Sequence, residues 1–364
     1  MIRYSLRRLL QAIPLLVIVS VFLFVLTRAL GDPLATFGGR QVVRSADRER
    51  LTRQLGLDQP VCNCLDHQLR LSWQACWHHP LRTQYMSWLI GNTWTVVGTA
   101  ADGTPRYGIR HGLLRGDLGT SFVTRRPVLD MIGERLPNTL LLMGSSEVVI
   151  VLLALLCGMS AALKPYSRYD HLTTTLTLIG YSLPIQLVAF ALIYLFAVRF
   201  KHWGLTYFPT GGVYDPLVGP TLPQVLWHLV LPVTATATTY VAAYSRYIRA
   251  SMLEVMAQDY IRTARAKGLD EYRVVLWHAL KNAALPLVTL LGLDLPFLLA
   301  GAVVVETIFA WPGIGRLFIE HTSKADVPVL MGILSILAVA VVVAQLLTDL
   351  AYAVLDPRIR YERQ

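Results

Sequence analysis

Six apolar stretches dictate what this chain can become, because each is near or above the ~20 residues a helix needs to cross about 30 Å of hydrocarbon. The first runs without charge from Leu9 to Thr27, and the others cover 138–163, 172–198, 224–246, 283–307 and 328–353. Hydrocarbon offers backbone groups no water, so stretches of this kind become helices with all their hydrogen bonds internal. Of 364 residues, 54% are hydrophobic and only 15% charged, which places most of the chain in a bilayer rather than around a soluble core. The expectation is an all-α integral membrane protein with six transmembrane helices. A signal peptide needs an apolar run of about 7–15 residues and a small-residue cleavage site. The Leu9–Thr27 run is longer and ends in TRALGDP, so it reads as an uncleaved first span. Pro14 within it is a tolerated kink.

The short loops set the orientation. Three Lys/Arg precede the first span, two lie in 164–171, seven between Arg246 and Lys281, and three in the tail. The short loops on the other side hold only Arg199, Lys201, Arg316 and Lys324. Basic residues stay cytoplasmic, so both termini and the 246–281 loop are expected inside. The net charge of +10 is accounted for in the same way, together with contact to anionic lipid heads. Three regions follow: 1–30 with the first helix, 31–137, and a five-helix core over 138–364 that carries the cytoplasmic loop 247–282. Region 31–137 holds thirteen arginines, nine acids and no lysine, with turn signals GDP, DGTP and RRP. It is polar and large enough for a small, partly helical domain.

The longest charged passage of the core, Ser251–Thr289, reads as helix, turn, helix. Asp259 can cap the first helix, with Tyr260, Ile261 and Ala264 on one side and Arg262, Arg265 and Lys267 around the rest. Gly268 ends it, since glycine takes the left-handed conformation cheaply. Asp270 can cap the second helix. Two short helices slung between spans cannot fold alone and must dock.

DYIRTARAKGL followed by HALKNAALPLVT resembles the cytoplasmic coupling loop of ABC importer membrane subunits, in the form carried by oligopeptide and dipeptide permeases. RYSLRRLL, GDP at 31–33, LGLDQP, GDLGTSF, RRPVLDMIGERLPNTL, ETIFAWPGIGRLF and LDPRIRY extend the resemblance along most of the chain. The wider permease loop begins Glu-Ala-Ala, where this chain has Arg262-Thr263-Ala264, as suits the peptide branch. The resemblance implies a multi-pass bacterial inner-membrane permease subunit whose 31–137 segment lies outside the cytoplasm. It implies a second homologous permease subunit, two cytoplasmic ATPase subunits and an extracytoplasmic peptide-binding protein as partners. Residues Asp259, Tyr260, Ile261, Arg262, Thr263, Ala264, Arg265, Ala266, Lys267, Gly268 and Leu269 would then seat in a groove of an ATPase subunit as an amphipathic helix does. No Gly-x-x-x-x-Gly-Lys-Ser/Thr loop occurs, so Mg-ATP belongs to the partners and this chain binds no cofactor.

Other features are weighed beside this. Glu147, Asp294, Glu306 and Asp349 interrupt apolar runs, and a carboxylate facing lipid is costly. Asp294, Glu306 and Glu147 are therefore pathway candidates, with helix packing the alternative for Asp294 and a structural or gate role for Glu306. Trp203, Tyr207, Phe208, Phe309 and Trp311 fall where interfacial aromatics anchor spans. Segments 61–80 and 91–112 find no counterpart in the resemblance. The first holds Cys62, Cys64, Cys76, His78 and His79, and three readings stay open. Cys76 forms a disulfide with Cys62 or Cys64, the cluster binds metal despite lacking the usual zinc spacing, or the cysteines are unpaired. Nothing argues for catalysis, and the helix pair is a poor DNA reader, being tethered in the bilayer at both ends. Two functions compete with peptide import: a nickel or metal-chelate permease of the same family, and an ion-coupled secondary transporter using Asp294 and Glu147.

Overall fold

The computed structural model describes residues 2–29, 49, 52–59, 83–99 and 103–355, and they are mostly helical. The helices are α1 (Ile2–Ala29), α2 (Gln84–Leu89), α3 (Val128–Leu163), α4 (Arg168–Ser182), α5 (Ile185–His202) and α6 (Leu222–Met256). They continue with α7 (Asp259–Ala266), α8 (Glu271–Ala283), α9 (Leu285–Ile308), α10 (Ile314–Thr322) and α11 (Val327–Leu355). Among the described residues, four stretches are long and apolar enough to cross a membrane: Val128–Leu163, Ile185–His202, Leu222–Met256 and Val327–Leu350. A fifth forms if Glu271–Ala283 and Pro286–Gly292, bent by 43°, count as one, and Leu10–Leu26 is a shorter apolar helix. The Cys62, Cys64, Cys76, His78 and His79 positions lie outside the described residues.

The single run expected over 172–198 is two helices. Pro184 forces Leu183 into extended backbone (φ −87°, ψ 132°), which ends α4 and restarts the chain as α5. Pro232 by contrast lies inside an unbroken α6, where the Thr236 hydroxyl donates back to the Pro232 carbonyl at 3.0 Å.

The chain divides into two compact units. One comprises Met1–Leu9, Leu136–Arg316 and Ala340–Gln364, the other Leu10–Arg135 and Leu317–Val339. In the first, α6 is the axis. Val241, Tyr244, Ile248 and Met252 along it share a core with Ile150 and Ala154 of α3 and with residues of α7 and α8. A second cluster joins Val188 and Ala189 of α5 to Leu229, Leu231 and Val233 of α6.

The buried Asp170 carboxylate, in the first turn of α4, takes two hydrogen bonds from the Arg249 guanidinium (2.8 and 2.7 Å) and one from the Tyr166 backbone N–H (2.8 Å).

The second unit carries a small hairpin, β1 (Val96–Thr99) antiparallel to β2 (Pro105–Tyr107), and an aromatic cluster of Phe24, Tyr85 and Trp88. Asp326 in it is fully buried. This carboxylate accepts from the Ser121 hydroxyl (2.5 Å), the Phe122 N–H (3.1 Å) and the Val123 N–H (3.4 Å), and faces His321 Nδ1 at 3.1 Å. The GDLGTSF stretch is thereby folded onto the turn before α11.

The Arg249 guanidinium holds the Asp170 carboxyl below the usual carboxylate range. A carboxyl whose pKa is lower folded than unfolded stabilises fully above about pH 4 and loses that contribution as pH falls through the folded value. Melting temperatures of purified protein titrated into acid should therefore fall more steeply for wild type than for Asp170→Asn. Parallel curves would remove the pair from the stability of the fold.

Candidate functional site

The chain leaves α6 at Met256 and turns through Gln258, which is extended (φ −72°, ψ 149°) and precedes the first turn of α7. The capping position is thus Gln258, whose side chain makes no cap bond, and not Asp259 as expected. Asp259 sits inside the first turn, where its negative charge meets the positive end of the helix.

Ile261 and Ala264, one turn apart, are buried in the same core as Ile248 and Met252 of α6 and Val274, Val275 and Ala279 of α8. Tyr260 does not join them. It stands 42% exposed, and its hydroxyl accepts a 2.8 Å hydrogen bond from Asn282 Nδ2 of α8. Arg262, Thr263, Arg265, Ala266 and Lys267 are exposed.

The end of α7 is set by its backbone. Lys267 N–H donates to Thr263, Gly268 N–H to Arg265 and Leu269 N–H to Ala264 (3.1, 2.9 and 3.4 Å). Gly268 has φ +75°, while a Cβ there would meet nothing within 4 Å. Conformation rather than crowding demands glycine. Across this turn Arg265 grips Glu271 with two hydrogen bonds (Nε 3.0 Å, Nη2 2.6 Å). Asp270 occupies the cap of α8 without a side-chain cap bond, and the middle of α8, Val274–Ala279, is π-helical.

Ile261 and Ala264 of α7 are thus covered within the chain itself. The surface left open is basic and aromatic: Arg262, Arg265 and Lys267 with Tyr260, Leu269 and Tyr272, the last 71% exposed.

The intramembrane carboxylates have separate surroundings. Glu306, at the end of α9, is fully buried. Its Oε1 accepts from the Thr139 hydroxyl of α3 (2.7 Å) and its Oε2 from the Arg316 N–H (3.0 Å). Thr139 Oγ1 in turn accepts from the Ile314 N–H (2.8 Å), so these two side chains satisfy the first turn of α10. A Cβ at Gly313 would collide with the Glu306 carboxylate, which explains the glycine in FAWPGIG. Asn138 completes the lock, donating to the Pro312 carbonyl (3.0 Å) and accepting at its own carbonyl from Trp311 Nε1 (2.8 Å).

Trp311 and Phe309 are accordingly buried in the core, not spread at a lipid interface as expected of span ends. Trp203 and Tyr207 remain exposed, and Phe208 stacks on Trp227 at 4.2 Å. Glu147 is half-buried, with the Tyr244 hydroxyl 3.4 Å from Oε1. Asp294 falls within α9, but its side chain lies outside the described residues. The structure thus gathers 259–269 at one place and keeps Glu147 and Glu306 apart from it. Sequence reasoning missed Thr139, Asn138 and the Asp170–Arg249 pair. Only RLPNTL, quoted as a motif without a partner, pointed toward the first two.

These features define a class: a polytopic helical membrane protein with an amphipathic helix–glycine–helix docked on its own membrane helices. The matching family model is the binding-protein-dependent transport system inner membrane component, over residues 154–361. The oligopeptide transport system permease protein AppB of Bacillus subtilis (strain 168) is 37% identical over 99% of this chain and 100% of its own length. The dipeptide transport system permease protein DppB of Escherichia coli (strain K12) is 34% identical, with both chains fully covered. The glutathione transport system permease protein GsiC of Escherichia coli O6:H1 is 35% identical over the full length of both. A chain of the inward-facing MetNI methionine ABC transporter aligns at TM-score 0.46 and 16% identity, over 63% of this chain and 96% of that one. The chain belongs to the binding-protein-dependent transport system inner membrane component family and is a multi-pass inner-membrane permease subunit of an ABC importer. The family implies partnership with an ATPase and with a substrate-binding protein.

Glu306→Ala should leave the buried Thr139 hydroxyl without this acceptor, at a cost of about 1–3 kcal/mol, and remove the acceptor of the part-buried Arg316 N–H. Thermal unfolding of purified protein should show Glu306→Ala and Gly313→Ala well below wild type, with Glu306→Gln between. An unchanged Glu306→Ala would disprove the lock.

Proposed function

We propose that this chain forms half of the translocation pathway of an ATP-driven peptide importer. A second, similar permease subunit supplies the other half, two ATPase subunits bind and hydrolyse Mg-ATP, and an extracytoplasmic binding protein delivers the peptide. The chain itself binds no nucleotide. It crosses the membrane six times with both ends in the cytoplasm, α1 being the first crossing and region 31–137 lying outside. Residues 259–269 take the thrust of the ATPase. Peptide is favoured as cargo because full-length relatives are named for oligopeptide, dipeptide and glutathione transport. Asp294, Glu147 and Glu306 remain candidates to border the pathway, with Glu306 better suited to structure.

One observation supports the coupling: Ile261 and Ala264 are buried in a core shared by α8 and α6, through which a displacement of α7 would carry to the membrane helix. The motion of a docked ATPase then reaches the pathway as a rigid displacement and switches it between inward- and outward-facing. The basic and aromatic outer surface of α7 meets the ATPase, and Gly268 fixes the angle between α7 and α8.

Two measurements test this. The chain purified from its host should bring ATPase subunits with it and import labelled peptide in proteoliposomes. Solute movement by the isolated chain would mean an ion-coupled carrier, and uptake of a metal chelate instead of peptide would reassign the cargo. Gly268→Asp should leave an inserted protein whose complex hydrolyses ATP without import, since a side chain at φ +75° costs about 1–2 kcal/mol and misplaces the turn. Normal uptake by that variant would refute the role of the loop.

A further inference from the structure

Helix α8 has two sides already in use. Val274, Val275 and Ala279 are buried against α6 and α7. At its ends α7 is fastened to it through Arg265–Glu271 and Tyr260–Asn282. A third side is open. Arg273, Trp277 and Lys281 recur every fourth residue, which aligns them along one face, and all three are exposed, Trp277 by 72%.

An indole this open is poorly placed in bulk water and well placed at headgroup level, where its apolar body and polar N–H are both satisfied. Position along the chain agrees. α8 ends at Ala283 and α9 begins at Leu285, so Lys281 stands about 6 Å of helix from an apolar run. The charge is complementary to anionic lipid: one cation sits on each side of the indole. The only acid of α8, Glu271, is engaged by Arg265.

We propose that Arg273, Trp277 and Lys281 form a binding face for anionic phospholipid. The indole lies at the acyl boundary, and the guanidinium and ammonium hold headgroup phosphates of phosphatidylglycerol type. The face moors α8 at the membrane surface, so that the lever pivots against the bilayer instead of swinging free. This rests on the chain being a membrane permease subunit and on neither the cargo nor the ATPase contact.

The test uses the assembled transporter in nanodiscs containing acyl-brominated lipid. The chain has eight tryptophans, so the readout is the difference in quenching between wild type and Trp277→Phe. Brominated phosphatidylglycerol should quench the Trp277 emission more than brominated phosphatidylcholine at equal mole fraction, with a preference of about fivefold for each basic residue engaged. Arg273→Gln with Lys281→Gln should bring the preference close to one and leave Trp277 quenchable. Equal quenching by both lipids in wild type, or none specific to Trp277, overturns the proposal. So does quenching that is present in the isolated chain and vanishes on assembly, which would make this face an ATPase contact. Because the readout needs neither hydrolysis nor import, its failure leaves the transport function standing.

Discussion

The burial of Ile261 and Ala264 in the core shared by α6 and α8 is the contact on which the helix pair over 259–283 depends. An eight-residue helix is far too short to persist alone in water. It persists here because burying an isoleucine is favourable by about 1.5–3 kcal/mol and α6 and α8 supply the matching apolar surface. The same contact decides which surface remains for other molecules. With the apolar stripe turned inward, the surface left exposed consists of arginines, a lysine and tyrosines.

Buried carboxylates perform related work at three separate places. Asp170 fixes α4 to α6 through a guanidinium, Glu306 satisfies the start of α10, and Asp326 folds the Ser121–Val123 backbone onto its turn. In each case the oxygens accept backbone or side-chain donors that would otherwise be buried unsatisfied. The apparent anomaly of acids in an apolar chain thus resolves partly into architecture. Glu306 shows it most fully: an acid in an apolar run invites a pathway role, yet both its oxygens accept donors from the chain itself.

How much of this was legible in the sequence follows from the range of each interaction. Apolar runs and the glycine at 268 are local signals, and both helices flanking Gly268 lie where spacing and turn chemistry put them. The break at Pro184 is equally local, yet 172–198 reads as one span because proline in a membrane helix is compatible with either outcome, as the unbroken α6 around Pro232 demonstrates. The partners of motifs were not legible. GDLGTSF advertises a tight turn, but the carboxylate that holds Ser121 lies 205 positions away, and Thr139 is 167 from Glu306. The direction of the α7 stripe was unreadable for another reason. Amphipathicity reveals that a face will be covered and is silent on whether the cover is a partner or the same chain.

The structure offers two routes by which a push on α7 can reach the membrane, and they differ in stiffness. Along the chain, the push passes Gly268, the π-helical turn Val274–Ala279 and a 43° bend before α9. Each is a place where helical hydrogen bonding is altered, and bends and π-turns are where helices yield. Across the packing, Ile261 and Ala264 share one core with Val274, Val275 and Ala279 of α8 and with Ile248 and Met252 of α6, and such interiors are as dense as an organic crystal. Close-packed contacts transmit displacement with little loss, so the route through the packed core is the stiffer of the two, and the Arg265–Glu271 fork braces the covalent one. α6 in turn packs against α4, α5 and α9, so a displacement of α6 would be shared with all three.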